Sequence, residues 1–183
     1  MVTLGLDAST TCVGYAFTKD KKILDMGFID IKKETTPKKK VFKVLDFLNK
    51  NSYIDDVFTI YVEDNLQGFA GGRTSQQVIV KLAKFNAILC FQLEEVFDME
   101  VHNINPMTAR KNVFGKARIK GIKAKDFVKE QVEKLYDTKK WCKKTTRGNW
   151  DKRNIDAYDG LVMSLFEKKA WFITKFVVYC INV

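Results

Sequence analysis

Histidine is nearly missing from this sequence, and its scarcity excludes several kinds of catalytic site. The sole histidine, His102, lies in an alternating, strand-like run of residues. A metal centre built from several imidazoles is therefore excluded. A Ser-His-Asp or Cys-His arrangement would depend entirely on this residue, and no G-x-S-x-G turn accompanies it. We therefore interpret His102 as a structural residue.

Cysteine is also sparse, and its spacing argues against metal and redox centres. The four cysteines are scattered along the chain at Cys12, Cys90, Cys142 and Cys180. None forms a C-x-x-C pair, so neither a structural zinc site nor a thioredoxin-type centre is expected. Nothing at the start resembles a signal peptide, which together with free thiols predicts a cytoplasmic, reducing location.

No membrane association is expected from the apolar tail of the chain, residues 170–183. The tail is shorter than the roughly 20 apolar residues that span a bilayer. We expect it to pack on the same domain, which would occupy residues 1–169. A chain of 183 residues, 46% of them hydrophobic, is enough for one well-packed domain.

The charge of the chain is strongly one-sided. Lysine and arginine number 32 against 22 aspartates and glutamates, which gives a formal net charge of +10. Such a surplus favours a polyanionic partner, and nucleic acid is the commonest one. A basic but otherwise ordinary enzyme is the alternative on charge alone.

Hydrophobic periodicity predicts an α/β protein. Strands are predicted at 2–7, 12–18, 23–31, 58–63 and 100–104. Helices are predicted from Pro37 onward and at 74–97, 124–136 and 154–169. Short turns join the first three strands into an antiparallel meander, whereas the fourth is reached through a helix and should lie parallel to the first. The expected fold is a five-stranded mixed sheet, three antiparallel strands then two parallel ones, flanked by helices.

Carboxylates occur where this fold would bring them together. Asp7 and Glu63 close the first and fourth strands, so they would lie side by side where ligands bind in open α/β sheets. Asp156 and Asp159 are three residues apart on the last helix and share a face. Their negative charges would repel, and Mg²⁺ or Mn²⁺ would remove the conflict. Two such ions roughly 3.5–4 Å apart can activate water and stabilise the leaving oxygen of a phosphodiester.

Each carboxylate also has a simpler explanation. Asp7 could cap the turn after its strand, and Glu63 could be a solvated strand-end charge. Asp156 could be a first-turn acid favoured by the helix dipole, and Asp159 could pair with a lysine. Their joint placement favours a shared catalytic and metal-binding site.

The sequence resembles the RuvC-like Holliday-junction resolvases of the ribonuclease H-like superfamily, from Val2 to about Lys169. The resemblance is carried by four segments, at residues 4–16, 61–65, 105–115 and 154–161. In that family an Asp on strand one, a Glu ending strand four and a D-x-x-D or H-x-x-D on the last helix ligate the metals. The matching positions are Asp7, Glu63, Asp156 and Asp159.

This resemblance implies a ribonuclease H-like fold and a homodimeric endonuclease that nicks four-way DNA junctions with two Mg²⁺ or Mn²⁺ ions per site. The candidate DNA-binding residues are Phe69, Arg73, Arg118, Lys120, Lys123, Lys125, Lys143, Lys144 and Arg147. Phe69 resembles the aromatic wedge of resolvases, although it could instead anchor its loop. The lysines could form a solvated face. Trp141 and Trp150 could stack on bases or simply pack.

Three alternatives stay open at this point. A sugar kinase or actin-like ATPase also begins with D-x-S-T-T-x-x-G, but 183 residues leave no room for its two lobes. A monomeric RuvC-like ribonuclease acting on structured RNA is the second alternative. A DNA-binding module whose carboxylates serve only structure is the third.

The helix at 74–97 is the candidate contact for a homodimer.

Overall fold

The computed structural model describes residues 1–64 and 76–167 of the chain. The predictions that concern Phe69, Arg73 and the apolar tail at 170–183 lie outside the described residues. Among the described residues, no helix is long and apolar enough to cross a membrane.

A five-stranded mixed sheet forms the centre of the molecule, as predicted. Its strands are β1 (Val2–Ala8), β2 (Cys12–Lys19), β3 (Lys22–Asp30), β4 (Val57–Glu63) and β5 (Val101–Ile104). Their order across the sheet is β3-β2-β1-β4-β5. The pairs β1–β2 and β2–β3 are antiparallel, whereas β1–β4 and β4–β5 are parallel. The meander and the parallel placement of the fourth strand are therefore confirmed.

Five α-helices connect and cover the strands in the described residues. They are α1 (Pro37–Asn49), α2 (Gln76–Phe97), α3 (Pro106–Phe114), α4 (Ala124–Leu135) and α5 (Asn154–Ser164). Local chemistry sets two of the starts. The Thr36 side chain accepts a hydrogen bond from the backbone N–H of Lys39 at the start of α1, and Asn105 caps α3 in the same way. Each of these helices has proline in its first turn.

The last helix is shorter than the sequence predicts. It was expected to reach residue 169, but α5 ends at Ser164, with Leu165 as its cap residue. The Thr18 hydroxyl on β2 donates to the Ser164 carbonyl at 3.0 Å. The Ser164 hydroxyl donates to the Leu161 carbonyl at 2.9 Å. The Thr18 hydroxyl thus gives a carbonyl at the helix end, which lacks an intrahelical partner, a donor from the sheet.

Two hydrophobic cores lie on opposite faces of the sheet. One core joins the sheet to α1 and α2 through buried residues such as Leu45 and Leu89. The other joins it to α3, α4 and α5 through residues such as Phe127 and Leu161. His102 on β5 packs its ring 5.5 Å from the Tyr61 ring, in keeping with a structural role. The molecule is thus a three-layer α/β/α arrangement.

Candidate functional site

The carboxyl-terminal edge of the parallel strands carries Asp7 and Glu63. In the β1–β4 register Leu6 lies opposite Val62. The next residue on each strand is an acid, so Asp7 and Glu63 occupy neighbouring positions at the same edge of the sheet. This is the placement expected from the sequence.

Glycines let α5 lie directly on this part of the sheet. A Cβ atom at Gly14 would come within 1.7 Å of the Asp156 carbonyl oxygen, and one at Gly160 within 2.9 Å of the Gly14 backbone. Only residues without a side chain permit such an approach. The first two turns of α5, which carry Asp156 and Asp159, are consequently pressed against β1 and β2.

The four carboxylates influence one another electrostatically. Burial raises the pKa of Asp7 well above its usual range, and the charges of Glu63, Asp159 and Asp156 raise it further. Burial, with added repulsion from Asp159 and Asp156, raises the pKa of Glu63 to about 7. Burial also raises the pKa of Asp159. The structure therefore brings all four predicted acids into one neighbourhood, the carboxylate cluster.

Two cationic side chains offset part of this charge. Arg110 on α3 donates from Nη2 to Oδ1 of Asp159 at 3.0 Å, and the two side chains are only 12% and 6% exposed. Lys125 on α4 contacts Oδ1 of Asp156 at 3.2 Å, but its side chain is 66% exposed. The first pair is thus fixed in the interior, whereas the second can open to solvent.

Arg110 was not among the residues predicted from the sequence. The sequence did contain an indication of its importance, because Arg110 lies in the segment at 105–115 that carries part of the family resemblance. Nothing in that segment alone indicates that the guanidinium reaches an acid 49 positions later in the chain. Only the packing of α3 against α5 brings the two side chains together.

The cluster suits a hard divalent cation in its chemistry but does not form a ready coordination shell. Across residues 1–64 and 76–167, no group of three or more acidic, histidine or cysteine side chains is arranged to hold a metal ion. The atoms that face Asp156 and Asp159 are the nitrogens of Lys125 and Arg110. Even so, four carboxylates with raised pKa values among them form an oxygen-rich donor set of the kind that Mg²⁺ and Mn²⁺ prefer.

The predicted DNA-binding residues that the structure describes fall into two exposed segments. The loop between α3 and α4 carries Arg118, Lys120 and Lys123, all exposed, and leads into Lys125 at the cluster. The connection between α4 and α5 carries Lys143, Lys144 and Arg147. Of these, Lys143 lies over the Phe28 ring at 4.6 Å and donates to the Phe28 carbonyl, so it also holds this connection against β3.

Comparison with protein-family models gives no match, and comparison with curated proteins gives none either. Solved structures do match. RuvC from Thermus thermophilus aligns with a TM-score of 0.56 at 13% identity, covering 90% of this chain and 91% of its own. The same protein in complex with a Holliday junction substrate aligns at 0.57, with 12% identity and 90% of each chain covered. The chain shares the RuvC fold.

A second solved resolvase supports the same assignment of fold. The yeast mitochondrial Holliday junction resolvase Ydc2 aligns with a TM-score of 0.55 at 13% identity, covering 88% of this chain and 75% of that one. The ribonuclease H-like fold expected from the sequence is therefore confirmed. At such low identity the comparison establishes the architecture, and the chemistry must be argued from the residues of this chain.

Proposed function

We propose that this protein is a divalent-metal-dependent endonuclease that nicks branched DNA, with four-way junctions as its substrate class. The observation that carries the proposal is the convergence of Asp7, Glu63, Asp156 and Asp159 at the carboxyl-terminal edge of β1 and β4. Buried like charges destabilise a fold unless they are neutralised. A bound cation that is ligated by these four carboxylates best explains why they lie together.

In this proposal the four carboxylates hold the metal. Divalent ions there would activate water for attack on a phosphodiester and stabilise the leaving oxygen. Asp156 is available because its partner Lys125 is largely exposed, and exposed ion pairs contribute little stability. Asp159 keeps its buried pair through Oδ1, and a carboxylate has a second oxygen with which to bind.

Lys125 would bind and orient the phosphate, and Arg110 would orient Asp159. Lys125 can move from Asp156 to a phosphate oxygen as the cation arrives, because its side chain reaches solvent. The Nε atom of Arg110 is buried and has no hydrogen-bond partner among the described residues. A buried donor without an acceptor is costly. Arg110 would therefore hold Asp159 in place at a cost in stability.

Branched DNA is favoured as the substrate by fold and charge together. The Thermus thermophilus protein of the same fold was solved in complex with a Holliday junction. The net charge of +10 and the basic loop beside the cluster suit the phosphates of two adjoining duplexes.

A homodimer fits the two-fold symmetry of a four-way junction, because each copy would place one site at one of two equivalent strands. The solvent face of α2 supports such an assembly. Val80, Ile88 and Phe91 are 50%, 38% and 57% exposed there. At 100° per residue Val80 and Phe91 point away from the buried residues Phe85, Leu89 and Leu93, and Ile88 lies at the edge of this exposed face. A second copy of the chain would cover them.

Incubation with a synthetic four-way junction, with Mg²⁺ or with EDTA, tests the proposal on a denaturing gel. We expect paired nicks near the branch point with Mg²⁺ and none with EDTA. A structured RNA of similar size should stay intact, and size-exclusion mass should give a dimer. Nicking that survives EDTA, or cleavage of RNA alone by a monomer, would rule the proposal out.

A further inference from the structure

A cavity lies between α4 and α5, away from the carboxylate cluster. Its volume is about 760 Å³, which is within the usual range for small-molecule sites. It is bounded by the end of α4, by Tyr158 of α5 and by the connection 136–153. None of the four carboxylates of the cluster lines it. We refer to it as the α4–α5 cavity.

One wall of the cavity is aromatic and is held in place by backbone hydrogen bonds. Trp150 lines it, with its ring 6.4 Å from the ring of Tyr158. A bridge between Lys144 and Trp150 closes a small hairpin. Asn154, itself buried, binds the backbone of Lys143 from both ends of its amide at 2.9 and 2.8 Å. The wall is therefore formed before any ligand arrives, which lowers the cost of binding.

The floor of the cavity is polar. Tyr158 is only 1% exposed, and its hydroxyl lies 2.8 Å from Oγ1 of Thr138 and 3.2 Å from Sγ of Cys142. The same hydroxyl donates to Oε1 of Glu133 at 3.2 Å. Glu133 stays 40% exposed and can accept further hydrogen bonds. An aromatic wall above such a floor suits a flat ring with polar edges.

The rim of the cavity is positively charged. Lys134, Lys139 and Lys144 line it and are all exposed. The acids at the rim are Asp137 and Glu133. Glu133 is already paired with a lysine, because Nζ of Lys129 contacts its Oε2 at 2.9 Å. Cations around an aromatic, hydrogen-bonding cavity match a base with its flanking phosphates.

Helix α4 links the cavity to the carboxylate cluster. Lys125, at the start of α4, contacts Asp156, and Glu133, near its end, lines the cavity. Eight residues of α-helix span about 12 Å. Stacked DNA covers that distance in about three to four nucleotides. One strand can therefore reach both places.

We propose that the α4–α5 cavity binds a single unstacked nucleobase of the strand whose phosphate lies at the carboxylate cluster. The inference rests on the proposed function and adds a recognition site to it. The base lies against Trp150, an exocyclic amine donates to Glu133, and flanking phosphates meet the rim lysines. Unstacking a base costs least where pairing is already disturbed, so the cavity selects strands near a branch point.

Cys142 lines the cavity and provides the test. DNA carrying one base with a disulfide-activated tether is prepared as a four-way junction and as the matching single strand, with the tether moved one nucleotide at a time. We expect crosslinking to Cys142 only in a narrow window, about three to four nucleotides from the cleaved bond. Peptide mapping identifies the cysteine, and Cys142→Ser removes the product.

The aromatic wall is tested by matched variants. Trp150→Ala should lower the crosslinking rate about tenfold, whereas Trp150→Phe should largely preserve it. Phe42→Ala on α1 is the control, because Phe42 is 52% exposed and does not line the cavity. If Trp150→Ala does not fold, Lys139→Glu on the exposed rim should lower the rate instead.

Two results would overturn the proposal. In the first, no tether position in either DNA form gives more crosslinking to the wild-type protein than to Cys142→Ser. In the second, the Trp150 and Lys139 variants crosslink at the wild-type rate. Cleavage is measured on the same samples. If the wild-type protein nicks junctions without crosslinking, only the proposal of a base-binding cavity is contradicted. If the wild-type protein crosslinks single strands but never nicks junctions, only the proposed nuclease function is contradicted.

Discussion

A carboxylate is costly to bury, and more so when its neighbours are carboxylates as well. Asp7 is in that situation, since burial and three acidic neighbours all raise its pKa. Arg110 and Lys125 contact the two acids on α5, and neither pairs with Asp7. Metal-free protein therefore has to hold protons at the cluster or bear the repulsion between its carboxylates. A bound cation would turn this cost into binding energy.

The stability of the protein should depend on pH through Glu63. The folded protein raises the pKa of Glu63 to about 7, above the usual value for an unfolded chain. Between those values the folded state binds a proton that the unfolded state has lost, so metal-free stability should fall as pH rises through about 7 and level off above it. Thermal melts in EDTA across this range measure the trend.

Mg²⁺ should reverse that trend, because the ion competes with the proton for the same oxygens. Its stabilising effect should be large above pH about 7 and should vanish near pH about 5. A melting temperature in EDTA that rises with pH through this window would contradict the placement of Glu63.

Asp7→Asn should separate stability from activity. The substitution removes one buried charge, so the metal-free protein should gain about 1 kcal/mol or more while junction cleavage is lost. Denaturant unfolding in EDTA and a cleavage assay measure the two effects. Asp46→Asn is a suitable control, because Asp46 is exposed and, among the described residues, is paired with Lys50 at the end of α1. Destabilisation by Asp7→Asn would show that the cluster is not electrostatically strained.

Helix α5 packs so closely on the sheet that added side-chain atoms at the contact would clash with its backbone. Its backbone touches β2 at Gly14 and β1 at Gly5, where an added Cβ would lie 2.1 Å from the Ser164 nitrogen. Both contacts are with backbone atoms, which cannot move aside singly. The position of Asp156 and Asp159 relative to the sheet thus depends on residues that do no chemistry.

Gly14→Ala should therefore displace α5 and damage the site. We expect a loss of about 3 kcal/mol or more in the free energy of unfolding, together with loss of cleavage. Gly27→Ala is the matched control on β3, because the three atoms nearest to its added methyl all belong to the Tyr15 side chain, at 3.0 Å or more. Unfolding midpoints and cleavage rates of both variants decide the matter. Equal losses of stability and cleavage in the two variants would contradict the claim that close packing of α5 on β2 positions the site.

Helix α2 is expected to provide the contact between two copies. Phe91→Lys would place a charge on its exposed apolar face and should shift the protein to monomer without lowering its melting temperature as a monomer. Light scattering after size exclusion measures the mass. Phe58→Lys on β4, where Phe58 is 64% exposed, serves as the control. A dimer that survives Phe91→Lys would place the interface elsewhere.

For the molecule as a whole, the sequence predicts local structure and topology better than it predicts contacts. Period-2 runs and the crossover rule were enough to place Asp7 beside Glu63, and the register of β1 with β4 bears this out. The end of α5 was predicted wrongly, because the Thr18 hydroxyl that binds its last carbonyl lies on another element. Local patterns do not record such tertiary hydrogen bonds.

The same reason explains what the sequence missed at the two sites. Arg110 reaches Asp159 only because α3 packs on α5. The α4–α5 cavity joins Glu133 to Tyr158, which are 25 positions apart in the chain. Positive charge in both regions was visible from composition, but the acid or aromatic ring that faces each cation depends on three-dimensional packing.

Binding of Mn²⁺ in the presence of an uncleavable four-way junction, followed by electron paramagnetic resonance, tests the central claim most directly. Wild-type protein should take up about two ions per chain. Asp7→Asn should lose most of this uptake, and the control Asp46→Asn should keep it. Equal Mn²⁺ uptake by wild-type protein and Asp7→Asn, or no uptake by either, would contradict a metal site built from the four carboxylates.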